Sequence, residues 1–392
     1  MNNAEKNRRI ALDFNKNLND ILLEIKQVYP DVTPEMIEKW EKEKSLEFLE
    51  IEGEKRYFRR AARNFFRINR DAKKLFIEKF GDEKQKRNDF LKNYLLKIIY
   101  SQKPDIQHFK FNFKLKINSE INEGEKLRVW LPYCRGVAHN AATSAHSSIF
   151  FEKMAKNGEK NEFEVEFEFS EKSRYKKINP DKILPYNENC FEVKNYCQEK
   201  FPHIVFSEKL HKISTQIVEN ERNPYLKAKQ IFTWISQNIH WAAAQEYSTI
   251  DNIPEYVLEN RHGDCGQVSL LFIALCRLNG VPARWQSGFM LHPNCENLHD
   301  WAEIFVEPFG WLPVDVSFGL MNWAENEDLR YFYFGNIDAF RLVVNTDISA
   351  EFEPRKKFER SETVDFQRGE VETDTRNLYF DEWDYSFNVK IL

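Results

Sequence analysis

An α+β fold is predicted, and three features of the sequence predict it. Apolar residues recur at helical spacing from Met1 to about Gln102, strict alternation takes over at Phe109, and residues 261–319 combine an apolar helix with alternating strands. At 392 residues the chain is too long for one typical core. The period changes divide it into a helical N-terminal region (residues 1–103), a β-sandwich-like domain (104–200), a mixed core (201–347) and a β-rich C-terminal extension packed on that core (348–392).

A hydrophobic fraction of 42% supports globular cores, and a formal net charge of −5 points neither to nucleic acid nor to a membrane surface. No stretch approaches the roughly 20 apolar residues of a membrane span. The charged N-terminus is followed by no apolar segment of the leader type. A cytoplasmic site is therefore expected, or export if a leader once preceded these residues. Six cysteines at this length are too few for a disulfide scaffold.

In the N-terminal region Leu18, Ile21, Leu22 and Ile25 share a helix face, and Thr33-Pro34 reads as an N-cap with Pro at the first helical position. A longer amphipathic stretch runs from Phe58 to Phe76. Its other face carries Arg56, Arg59, Arg60, Arg63, Arg67, Arg70, Lys73 and Lys74. The aromatics fall at core spacing, so this basic face reads as solvated and opposed to the Glu-rich run 38–54, not as a nucleic-acid patch.

After Pro104, FKFNFKLKI places Phe109, Phe111, Phe113, Leu115 and Ile117 on one strand face. KLRVWLPY and EFEVEFEFS continue the pattern and suggest a small sandwich. Cys134 and His139 lie there without catalytic spacing. Helical signals return over 203–219 and 224–239, and a loop with a short helix leads to the cysteine. YFYFGNIDAFRLVV, residues 366–371 and LYFDEWDYSFNVKIL read as strands beyond the core.

The chemistry concentrates around Cys265. Gly263-Asp264 is a turn and cap signal, residues 265–278 are apolar on nearly every face, and Asn279-Gly280-Val281-Pro282 ends the helix. A thiol in the first turn meets free backbone N–H groups and the positive dipole end, which favour a thiolate. The same N–H groups suit the oxyanion of a tetrahedral intermediate. His299 opens the run HDWAEIFVE, Pro308-Phe309-Gly310 supplies a turn, and WLPVDVSFG returns with Asp315. Such a hairpin brings Asp315 near His299, so that the carboxylate orients the ring and the ring takes the thiol proton. Asp300 and Glu303 are rival carboxylates, but in a strand Asp300 faces away from His299.

Four pieces in order and spacing (GDCGQ, LCRLNGVPAR, HDWAE and WLPVD) resemble the transglutaminase-like superfamily, whose core is related to papain-like cysteine proteases. The resemblance covers about residues 224–319. It implies a papain-related core over 201–347, with Cys265 as nucleophile, His299 as base and Asp315 as the orienting group. The family includes glutamine crosslinkers, peptidases and peptide N-glycanases. Gly266 stands where the best-studied crosslinkers carry an aromatic residue. Trp241, Gln245 and Tyr247 are the candidates for oxyanion or substrate-positioning roles.

The expected function is that of a cysteine-dependent amide hydrolase or acyltransferase working through a thioester on a protein or peptide substrate, without cofactor or nucleic-acid partner. Two alternatives stand beside it. The core could serve as a binding or assembly module. Alternatively, His262, Cys265, His292, Cys295 and His299 have local spacings that suit structural zinc.

Overall fold

The computed structural model describes residues 1–392 except 83–84, 135–146 and 157, so His139 lies outside the described residues. The N-terminal region comprises α1 (Asn3–Asp13), α2 (Leu18–Lys26), α3 (Pro34–Lys42), a hairpin of β1 (Phe48–Ile51) and β2 (Glu54–Tyr57), then α4 (Ala61–Ile68), α5 (Arg70–Phe80) and α6 (Gln85–Ser101). Phe14, Ile21, Ile25, Trp40, Phe58 and Phe65 fill its core. The single helix expected across residues 58–76 is broken at Asn69, whose side chain accepts from Ala72 N and caps α5. The basic face also differs from expectation. Arg59 reaches Asp13 and Glu246, and Arg67 stacks 4.6 Å from the centre of the Trp241 ring. Part of that face is therefore turned towards the rest of the chain and away from the 38–54 run.

Next come β3 (Ile106–Ile117), β4 (Lys126–Pro132), β5 (Ser148–Met154) and β6 (Glu162–Lys172). The alternation of β3 puts Phe109, Phe111, Phe113, Leu115 and Ile117 inside, as its period requires. After α7 (Phe191–Tyr196), α8 (Glu208–Val218) and α9 (Pro224–Asn238), a two-residue strand β7 (His240–Trp241) leads to α10 (Ile253–Asn260), β8 (His262–Gly263) and α11 (Cys265–Leu278). Then follow β9 (Ala283–Met290), β10 (Asn297–Val306), β11 (Gly310–Val314), α12 (Glu327–Arg330) and β12 (Arg341–Asn345). The chain closes with β13 (Glu370–Thr373), β14 (Asn377–Leu378) and β15 (Trp383–Ile391).

The core sheet has the order β11-β10-β9-β12, antiparallel throughout. One face carries Ala283, Trp285, Ala302 and Ile304, on which α11 lies, buried from Gly266 to Arg277. Such an element has no polar face to turn to water, and α8, α9 and α10 cover what the sheet does not. Phe289 and Leu342 of the same sheet, with Leu291 just beyond β9, join the sandwich core. The mouth of α11 thus sits where the core meets the sandwich.

The C-terminal residues depart from the expected extension. β15 pairs with β3 over nine residues, from Trp383↔Ile117 to Ile391↔Phe109, and β13 pairs with β4. They complete the two sandwich sheets, β15-β3-β6 and β14-β13-β4-β5. The physical reason is that β3 and β4 each have two hydrogen-bonding edges, and β6 and β5 respectively satisfy only one. The connection from β12 to β13 crosses the core, where Ile348 and Val364 are buried. Of the aromatic run 331–344, only the residues from Arg341 onwards belong to a strand, β12; Tyr333 lies in a turn and Phe334 in an isolated bridge to Val314. Among the described residues no helix is long and apolar enough to cross a membrane.

Candidate active site

Cys265 is the first residue of α11, and Asp264 is its N-cap, accepting from Gln267 N at 3.0 Å. Asp264 also accepts from the Tyr247 hydroxyl at 2.6 Å. Burial raises its pKa to about 6 despite these two bonds. Gly266 is required by close approach. A Cβ there would lie 2.2 Å from Tyr247 Oη, 2.8 Å from Asp300 Oδ2 and 2.9 Å from Trp285 Cη2. An aromatic side chain after the cysteine has no room in this packing.

The half-buried Cys265 borders a cavity of about 240 Å³. Its walls come from distant parts of the chain: Arg59 and Arg60 beside α4, Trp241 to Tyr247, Asp300, the crossing segment at 362–368, and Tyr385 of β15. Trp241, which pairs with Gly263 across the short parallel bridge, also walls a second cavity with Val268, Phe318 and Lys73. Gln245 is buried at the cavity wall and accepts from Thr249 Oγ1 at 3.4 Å. Tyr247 is buried and holds the cap. Of the three positioning candidates, Trp241 and Tyr247 therefore join the residues just ahead of the thiol, Gly263 and Asp264.

The expected carboxylate–imidazole pair is assembled. His299 Nε2 donates to Asp315 Oδ2 at 2.7 Å, both residues buried. Trp301 lies beside the ring at 6.1 Å and Phe318 meets it edge-on at 5.6 Å. The register explains the match. β10 and β11 pair from Ala302↔Val314, so Asp315 follows the last paired residue of β11 and reaches back across the strand to His299.

One residue absent from the sequence reading completes the pair. Arg341, at the start of β12, donates from Nη1 to the same Asp315 oxygen at 2.8 Å, and from Nη2 to Asp338 at 2.7 Å. Tyr333 donates to Asp338 at 2.8 Å, and His292 Nε2 lies 3.1 Å from Asp338 but off hydrogen-bond alignment. Burial alone would raise the Asp315 carboxyl; His299 and Arg341 outweigh it and hold the group below its usual range. Nothing local to Arg341 announces this role, because its partners lie 26 residues upstream and three residues upstream across a turn.

Cys265 is placed differently from expectation. Its thiol donates to Asp300 Oδ2 at 3.2 Å, and no hydrogen bond joins it to His299 among the described residues. Consecutive strand residues point to opposite faces, so the alternation that turns Asp300 away from His299 is what delivers it to the mouth of α11. The thiolate expected from the helix dipole is also overturned. Burial, followed by the charges of Asp300 and Asp264, pushes the thiol well above its ordinary pKa. The dipole, about half a unit charge, does not offset that burial beside two acidic side chains. Glu303, the other rival, is engaged with Arg284 at 2.6 Å.

The zinc arrangement does not form. Among the described residues no three His, Cys, Asp or Glu side chains converge as metal ligands. His262 is buried against Tyr256, and His292 is buried among Phe90, Phe318 and Phe340.

Comparison with known proteins follows the same division. The model of the transglutaminase-like superfamily matches residues 211–316, which contain Cys265, His299 and Asp315. The chain is 21% identical over 136 residues to YebA of Bacillus subtilis, itself uncharacterized, covering 30% of this chain and 18% of that protein. It is 23% identical over 236 residues to an uncharacterized protein of Haemophilus influenzae, covering 51% of this chain and 62% of the relative. It thus spans less than two thirds of either relative. Among solved structures, a candidate cysteine protease from Cytophaga hutchinsonii aligns with a TM-score of 0.47 at 14% identity, covering 74% of this chain and 91% of that one. The periplasmic domain of TgpA from Pseudomonas aeruginosa aligns with a TM-score of 0.31 at 14% identity, covering 54% and 88%. Over residues 211–316, this α+β chain carries a domain of the transglutaminase-like superfamily.

Proposed function

We propose that the chain is a cysteine-dependent enzyme that takes the acyl group of an amide onto Cys265, with hydrolysis of a peptide or modified side-chain amide as its first reaction and transfer to an amine as its second. One observation carries the reading: a helix-mouth thiol bordering a cavity touches Asp300, and the adjoining residue, His299, is locked to a buried, ionised Asp315. With Nε2 committed to Asp315, Nδ1 is the ring nitrogen left to act as base, and the thiol must leave Asp300 to reach it. The thiol proton passes to Nδ1, the sulfur bonds to the carbonyl carbon, and N–H groups of the first turn of α11 face the oxyanion. The imidazolium then protonates the leaving nitrogen as the C–N bond breaks, and water releases the acid from the thioester. The absence of room beside Gly266 weighs towards hydrolysis over crosslinking. Arg59, Arg60 and Tyr385 on the cavity wall give the N-terminal region and the sandwich a part in choosing the peptide or protein substrate.

The Cys265–Asp300 bond supports a second reading, a binding or assembly module that keeps the cysteine as a structural donor. A peptide and amine library offered to wild type, Cys265→Ala and His299→Ala decides between them. Products formed by wild type alone support the enzyme, with His299→Ala slower by about 10²–10⁴ if the ring is the base. Equal inactivity of wild type and Cys265→Ala supports the module.

A further inference from the structure

We propose that Asp300, clamped by Gln367 and paired with Asp365, is the positioning residue for the Cys265 thiol: it holds the sulfur protonated in the empty site, and a ligand entering the cavity must displace that bond before His299 can take the proton. The inference rests on Cys265 being the nucleophile proposed above.

Four observations converge on it. Asp300 Oδ2 accepts the thiol proton at 3.2 Å. Its other oxygen is not free to swing, because Gln367 Nε2 lies 2.7 Å from Oδ1 and is itself fixed on His299 O at 2.9 Å and Gly288 O at 3.0 Å. Gln367 thus ties the carboxylate to the strand that bears the imidazole. Asp365, two residues before Gln367, borders the same cavity, adds its charge to the burial that raises the Asp300 carboxyl, and has its own Oδ2 buried without a hydrogen-bond partner among the described residues. Burial raises both carboxyls, and the charge of Asp365 raises Asp300 further, so the pair favours keeping a proton. Finally, Cys265, Asp300, Asp365 and Gln367 all border the one cavity, so an occupant meets the whole device.

The charges facing Asp300 make a protonated thiol the resting state. Asp264 approaches from the mouth of α11, and Tyr247 from the 241–249 segment in front of it. Asp365 approaches from the crossing segment, where Arg368 and Arg360 partly offset it. Arg368 is already engaged by Glu246 and Glu362. Neither Asp264, Asp300 nor Asp365 has an ion-pair partner within 4 Å among the described residues. The device itself therefore presents acceptors and net negative charge to the sulfur, while the cations Arg59, Arg60 and Arg368 share the cavity wall.

The test follows alkylation of Cys265 by iodoacetamide against pH in the full chain, read on the Cys265 peptide by mass spectrometry so that the other five cysteines do not interfere. In wild type the midpoint is expected above the ~8.5 of a free thiol. Asp300→Asn, nearly isosteric, replaces the carboxylate by an amide that can donate to a thiolate, and is expected to lower the midpoint by at least about one unit. At pH 7.5 the rate rises about threefold, a tenfold gain in thiolate being reduced by its weaker basicity. Asp365→Asn, whose amide can donate to the charge left on Asp300, keeps the wild-type midpoint. If Asp300→Asn does not fold, Asp300→Ser is used with the same criterion. A midpoint in the folded Asp300 variant equal to wild type overturns the proposal. Library products dependent on Cys265, together with an unmoved midpoint, would sink this inference and leave the enzyme intact. A lowered midpoint without any product would do the reverse.

Discussion

Asn64 and Ala243 are joined by two reciprocal hydrogen bonds: Asn64 Nδ2 donates to Ala243 O, and Ala243 N donates to Asn64 Oδ1, both at 2.8 Å and both buried. A side-chain amide on α4 thereby acts as a strand partner for the segment that runs from Trp241 to Tyr247 along the cavity. Arg67 adds its stack on Trp241, and Tyr256, at the far side of the same segment, donates to Glu47. The N-terminal helical region is in this way a structural support of the site.

Removing that clip leaves two buried backbone groups of Ala243 without partners. Asn64→Ala is expected to cost about 1–3 kcal/mol for each group left unsatisfied. Hydrogen exchange should localise the loosening to residues 241–249, ahead of α11. A loss spread evenly over the chain would contradict this coupling.

Arg341 is the cation that two buried carboxylates share. Arg341→Met keeps the volume but leaves Asp315 and Asp338 buried without it, and a loss of about 3–5 kcal/mol is expected in denaturant titration. Activity, where measurable in the folded fraction, should fall with it, because the Asp315 oxygen that holds His299 loses its second donor.

Gly266→Ala tests close packing against helix propensity. In an open helix the change stabilises by roughly 0.5–1 kcal/mol. Here the new methyl would meet Tyr247, Asp300 and Trp285 inside contact distance. Overpacking of about 1–3 kcal/mol wins, so the variant is expected to melt lower than wild type. A higher melting temperature would mean that Tyr247 yields freely and that the cap bond to Asp264 is dispensable.

Acidity should stabilise the chain between pH 8 and about 6.5; below that, the buried His203 and His262, lowered to about 4, oppose it by taking up protons only on unfolding. Burial raises Glu362 to about 8, helped by Asp365, raises Glu47 to about 7, and raises Asp264 and Asp13 to about 6. Each of these groups holds its proton in the folded chain after the unfolded chain has released it near pH 4. Its stabilising contribution is therefore whole below that pH and fades as pH climbs through the folded value. Each proton bound in excess by the folded state is worth about 1.4 kcal/mol per pH unit. Asp315 and Asp338 act in the opposite sense, their stability being lost only as pH falls through their depressed values. Thermal melts at pH 8 and 6.5 should show the higher Tm at 6.5; an equal or lower value there would refute the assignment.

The sequence by itself determined the local pieces. Period-3.6 and period-2 patterns are set by neighbours within a turn or a strand, so α11 with its Asp264 cap, the alternation of β3 and the hairpin carrying His299 and Asp315 were all legible from residues 265–315 and 109–117. Tertiary structure decided which of those pieces meet. Arg341, Asp365 and Gln367 reach the site from β12 and the crossing segment, and β15 returns to pair with β3 across some 270 residues of chain, none of which leaves a local periodic signal. The strand period showed that His299 and Asp300 face opposite ways, but not which of the two faces α11 would cover. That depends on where a buried helix comes to rest over a sheet, a matter of packing between distant surfaces, and here it gives the thiol to Asp300.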